Sequence, residues 1–146
     1  MQNRMELIFS AISENEALAR MTISAFLVRI NPTMSMVSEV RTAVSEAVTN
    51  AIVHAYAQRD LGEVSMRAML HSDRVIIEIE DQGCGIENIE QAMKPFYTSQ
   101  PEMERSGMGF SLMQSFMDGV TVQSVPGKGT LVTMIKIINQ DEQDIF

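Results

Sequence analysis

Residues 63–81 hold two strand-length runs with almost nothing between them. EVSMRAML follows Gly62, HSDR makes a turn, and VIIEIED runs over 75–81 with a strongly β-branched start. Strands joined by so short a turn must lie antiparallel, because a parallel crossover needs about a dozen residues or more. The pattern recurs near the end of the chain. VTVQSV, 120–125, and TLVTMIKII, 130–138, are strands joined by PGKG. MELIF, 5–9, reads as a first strand. The sheet is therefore built from hairpins.

Helical periodicity fills most of the remainder. Ser13 to Glu16 has the S-x-x-E form of a capping box and opens an apolar helix through roughly Arg29. Asn31-Pro32 breaks it. A longer helix is expected from about Thr33 to Ala57. Residues 82–106 read as loop, with a short helical piece near Asn88–Met93, and Gly107 begins a third helix, GFSLMQSFM. The order is β-α-α-β-β-α-β-β, and the three longer helices can cover one face of the sheet. This is an α+β two-layer sandwich. Nothing divides residues 1–146 into two domains, and the acidic tail, taken as 138–146, is expected to fray.

Composition narrows the partners. The net charge of −8 opposes direct nucleic-acid binding, which needs a basic surface. Apolar residues make up 45% of the 146, enough for one core and against global disorder. No apolar run approaches the roughly 18 residues of a membrane span, and the N-terminus has no signal-like apolar region. Cys84 is the one cysteine, so no internal disulfide can form. The expectation is a cytoplasmic protein that contacts neither membrane nor nucleic acid.

Two features ask for chemistry. The first is VSEAVTNAIVHA, 44–55, where Glu46, Asn50 and His54 fall four residues apart inside an apolar helix and so form one polar row. The second is the glycines. All eight lie between 62 and 129, and six form the pairs Gly83/Gly85, Gly107/Gly109 and Gly127/Gly129. Asp81 stands just before the first pair. Gly107 opens a helix, where free N–H groups favour a phosphate. The third pair suits a plain hairpin turn. A Walker A loop is excluded because Gly129 follows Lys128, and a dinucleotide fingerprint because Asn88 and Leu112 occupy the third glycine positions.

Glu46…Asn50, Asp81-x-Gly83-x-Gly85 and Gly107-x-Gly109, in that order, resemble the GHKL ATPase superfamily of gyrase and the histidine kinases, with its Bergerat nucleotide fold. SEAVTNAIVHAY and ERSGMGF are similar to the serine kinases that are also anti-sigma factors. SENEALAR, the Pro-Thr after the first helix and FYTSQPEMERSGMGF resemble the sporulation anti-sigma-F group, and the likeness covers about residues 3–138.

The resemblance implies roles for individual residues. Asn50 would coordinate Mg²⁺, and Glu46 would be the catalytic base. Asp81 would accept from the adenine amino group, with Thr130 supporting it and Gly83 and Gly85 turning the chain past the base. Residues 94–106 would form a lid over ATP or ADP. Arg105 would meet the γ-phosphate, and Thr98, Ser106, Gly107, Met108 and Gly109 would line the nucleotide. Arg20 would contact the sigma factor, expected to be sigma F, across a homodimer. An anti-anti-sigma protein would supply the acceptor serine. Gln100 departs from the lysine expected in the lid, which puts one phosphate contact in doubt. His54 and Cys84 receive no role. Two rivals remain: a general-stress anti-sigma kinase with the same chemistry, and a nucleotide-dependent sigma-binding module without transfer.

Overall fold

Alternation along the strands decides which face the helices cover. In the computed structural model, which describes residues 2–55, 62–94 and 109–138, five strands form one antiparallel sheet. They are β1 (Asn3–Ser10), β2 (Glu63–Leu70), β3 (Arg74–Asp81), β4 (Gly119–Val125) and β5 (Gly129–Ile137), in the spatial order β1-β2-β3-β5-β4. Val64, Met66, Ala68 and Leu70 of β2 point the same way as Val75, Ile77 and Ile79 of β3, and all are buried. Every second residue thus enters the core.

The helices are α1 (Glu14–Leu27), α2 (Met34–Asn50), the single turn α3 (Ile89–Ala92) and α4 (Gly109–Phe116). The described part of the chain has the expected order and two layers. Helix α2 lies between α1 and α4. It buries Val40, Ala43, Val44, Ala47 and Val48 against Ile23 and Leu27 of α1, Met113 of α4 and the strand side chains. A 3₁₀ turn, Val28–Ile30, ends α1, and Asn31 takes the left-handed conformation at φ 50° before Pro32. Among the described residues, no helix is long and apolar enough to cross a membrane.

Two local expectations change. Ser13 is helical and its hydroxyl caps nothing, so the capping box does not form. The Glu16 carboxylate is drawn elsewhere: it accepts from the Ser45 hydroxyl on α2 and pairs with Arg20 one turn on. A contact 29 positions away in the chain has outbid the local one. Thr33 provides the working cap, accepting from the Met36 amide at 3.1 Å. The second helix also does not stay α to Ala57. It becomes a π-turn at Ala51–Ala55, directly after Asn50, and residues 56–61 lie outside the described part. The 3.6-residue period stops there, so the straight row from Glu46 through Asn50 to His54 is not continued by the backbone.

Lys136 ties the layers together. It stands on the core side of β5, where its ammonium donates to Glu39 of α2 and to the Phe116 carbonyl at the end of α4, both at 2.6 Å. A cation at that position satisfies a last-turn carbonyl and complements the helix dipole. On the opposite face Arg67 donates to Glu78 at 3.1 Å and Glu80 at 3.0 Å and reaches Glu6 at 3.4 Å, stitching β1, β2 and β3.

The two candidate caps should separate in a denaturation series. Thr33→Ala is expected to cost about 1 kcal/mol, and Ser13→Ala close to nothing. Equal losses by urea titration would contradict the cap assignment.

Candidate nucleotide site

β3 delivers a carboxylate to the core side of the sheet. Val75, Ile77, Ile79 and Asp81 share one face, so the last of them is buried with the rest at 7% exposure. Its carboxylate accepts the Gly83 amide at 2.9 Å and a second contact from the Thr130 amide. Burial nonetheless pushes its pKa up, because desolvation outweighs the two amides that favour the charge. A buried acceptor with spare lone pairs is suited to a donor brought by a ligand.

Two glycines permit this arrangement. Gly129 has φ +124°, and a Cβ there would overlap the Asp81 carbonyl oxygen. Gly85 has φ +75°, and a Cβ there would stand 2.5 Å from the Val125 carbonyl oxygen. The turn after β3 and the β4–β5 hairpin therefore pack backbone on backbone, and the Gly127 amide donates to the Cys84 carbonyl at 2.7 Å. Gly127 itself has open space around it and is a turn glycine. The third pair thus divides, one member serving the turn and one the approach to Asp81.

Asp81, Thr130 and Ser124 form one rung across β3, β5 and β4. The Ser124 hydroxyl accepts the Ile86 amide at 2.7 Å, donates to the Gly129 carbonyl at 2.9 Å and meets the Thr130 hydroxyl at 3.0 Å. Sequence reasoning missed this serine, since a lone Ser in a strand carries no spacing signal.

Helix α2 carries Glu46 and Asn50 on the layer above the sheet, and both are half-buried. The π-turn that follows Asn50 packs against β3, the strand that ends at Asp81. Such turns are frequent at functional positions. Arg20 is paired with Glu16 at 3.4 Å, and its Nε is buried and meets no acceptor among the described residues. Cys84 is exposed between the two glycines. Gly109 begins α4, whereas Thr98, Gln100, Arg105, Ser106, Gly107 and Met108 lie outside the described residues. The His54 side chain does as well. No group of three or more His, Cys, Asp or Glu forms a metal cluster among the described residues. An open depression of about 470 Å³ bounded by Gln2, His71, Asp73 and Arg74 lies at the other end of β3. Its charged pair, Asp73 and Arg74, is satisfied internally at 3.0 Å.

A Histidine kinase-like ATPase domain model matches residues 9–136. The anti-sigma F factor of Clostridium beijerinckii is 50% identical over 137 residues, covering 94% of this chain and 96% of that one. Its counterpart in Clostridium acetobutylicum is 51% identical over 136 residues, covering 93% and 94%. This chain belongs to the anti-sigma F factor family of histidine-kinase-like ATPases. Solved structures agree on the fold. A Mycobacterium tuberculosis protein with RsbU and RsbW domains superposes with a TM-score of 0.68 at 17% identity, covering 93% of this chain and 33% of that one. The histidine kinase domain of a blue-light-activated kinase from Erythrobacter litoralis gives 0.57 at 20% identity, covering 89% and 64%. The family assignment makes the glycine-lined Asp81 rung part of a nucleotide-binding domain.

The raised pKa of Asp81 fixes the sign of a pH effect. The folded protein holds this proton more tightly than the unfolded chain, so stability is gained as pH falls through the raised value and is missing above it. Asp81→Asn lacks that dependence. Thermal melts from neutral pH down to the ordinary carboxylate range, about pH 4, should therefore show the difference between wild type and variant moving in favour of wild type. A shift the other way would contradict a buried, desolvated carboxylate.

Proposed function

We propose that this anti-sigma factor is a Mg-ATP-dependent protein serine kinase that also sequesters a sporulation sigma factor, sigma F. The observation that carries the reading is the glycine-lined Asp81–Thr130 rung at the end of a strand that packs against the helix bearing Glu46 and Asn50 and against the π-turn after it. The names of the half-identical Clostridium relatives supply the sigma partner.

Each residue has a chemical task. The Asp81 carboxylate accepts from the adenine amino group, and a 6-keto purine would leave it unmatched. Asn50 offers one neutral oxygen, which suits Mg²⁺, a cation held by one or two protein oxygens together with nucleotide phosphates. Bound Mg-ATP supplies the phosphoryl group. Glu46 takes the proton of the acceptor serine as its oxygen bonds to the γ-phosphorus, and the bond to ADP breaks. The i,i+4 spacing keeps base and metal ligand on one rigid helix. Arg105 would offset phosphate charge in transfer, and residues 94–106 would close over the nucleotide. Thr98, Ser106, Gly107, Met108 and Gly109 would line it. The acceptor serine belongs to an anti-anti-sigma protein. Arg20 on α1, whose side chain is partly exposed beside Glu16, would be the sigma contact, and two copies of the chain would hold sigma between them in the cytoplasm.

Asp81→Asn should weaken ATP binding by roughly 1–3 kcal/mol, the scale of a mismatched buried group. Calorimetric titration with unchanged affinity would remove Asp81 from the site.

Glu46→Gln separates catalysis from binding. It keeps the shape and removes the proton acceptor, so phosphorylation should slow by on the order of 10²–10⁴, with Mg-ATP binding, sigma capture and melting temperature retained. Single-turnover phosphorylation beside a sigma pull-down reads both activities. A variant that phosphorylates at the wild-type rate would leave a sigma-binding module without a catalytic Glu46.

A further inference from the structure

The rung that carries Asp81 holds a proton count that determines what it can recognise. Ser124 has one hydroxyl proton and two lone pairs. The proton goes to the Gly129 carbonyl at 2.9 Å, and one lone pair takes the Ile86 amide at 2.7 Å. The Thr130 oxygen lies 3.0 Å away, a contact in which either hydroxyl can donate; all three Ser124 contacts are satisfied together when its proton stays on Gly129 and the Thr130 proton fills its remaining lone pair. Thr130 therefore spends its single donor inward. Its outward capacity is two lone pairs. Asp81, directly opposite on β3, is an acceptor too, with part of its capacity used by the Gly83 and Thr130 amides.

We propose that Ser124 is a specificity-determining positioning residue: by orienting the Thr130 hydroxyl inward, it makes this edge of the site an all-acceptor surface that takes an exocyclic amino group and rejects a keto oxygen. An amino group brings two protons to two acceptors. A keto oxygen in the same place would face lone pairs from both side chains, and no rotation of Thr130 could relieve that without breaking its bond to Ser124. The same serine grips the turn after β3 through the Ile86 amide, so orientation and position are set by one hydroxyl. The inference rests on the reading of this site as the purine pocket.

The test uses the whole protein and direct binding of two nucleotides, ATP and inosine triphosphate, which carries a 6-keto oxygen in place of the amino group. Wild type should prefer ATP. Ser124→Ala frees the Thr130 hydroxyl to donate, so the preference should narrow about tenfold, the scale of one restored hydrogen bond in a site otherwise built for the other base. Ser124→Thr keeps the hydroxyl and should keep the preference. A scaffold role alone would weaken both nucleotides by the same factor and leave the ratio unchanged. That result, or no change in either affinity, overturns the inference. If melting shows Ser124→Ala unfolded, Ser124→Cys fills the same space with a poor hydrogen-bonding group and carries the same expectation. Wild type that binds neither nucleotide, or both equally, would instead defeat the purine-pocket reading and the inference with it.

Discussion

The candidate site depends on the close passage of β5 beneath the last residue of β3. Gly129 can lie there because it has no side chain to strike the Asp81 carbonyl oxygen. That contact sets the register of Asp81 opposite Thr130, and β4 extends the same rung to Ser124. It also aligns the hairpin so that Gly85 can press on Val125 and Gly127 can bond Cys84. The middle strand of the sheet, β3, thus ends in a hydrogen-bonded polar rung instead of another apolar layer.

The helical layer meets the sheet through long-range polar ties. Lys136 joins β5 to both α2 and α4. Ser45, the neighbour of Glu46, donates to Glu16, which in turn pairs with Arg20. The residues proposed for phosphoryl transfer and for sigma contact therefore stand on adjacent helices connected by one carboxylate.

Much of this was legible in the sequence. The two hairpins announced themselves through short turns between alternating runs, and the strand ending at Asp81 followed from VIIEIED. Glu46 and Asn50 stand out as candidates because polar residues at helical spacing are conspicuous among valines and alanines. The capping box was misleading because Glu16 answers to Ser45 on another helix, and no local rule sees that partner. The π-turn after Asn50 was invisible for a similar reason. AIVHA has ordinary helical composition, and the segment packs against β3, a neighbour distant in the chain. Ser124 and Lys136 were missed because a hydroxyl or an ammonium in a strand reads as surface until its partners are known. Gly129 was half-read: its turn partner Gly127 is visible from the hairpin, but its service to Asp81 requires a third strand.

The strand order also has a consequence for how the chain reaches this state. β2–β3 and β4–β5 are local hairpins, whereas β3 and β5 join across the whole segment that carries the glycine turn and α4. Local pairs can form early, and a pairing that closes a long loop is slower because its entropy must be met before its contacts reward it. The Asp81–Thr130 rung belongs to that slower step. The nascent chain can hold two hairpins and still lack this rung, so the proposed nucleotide site is complete only when the sheet has been closed at its centre.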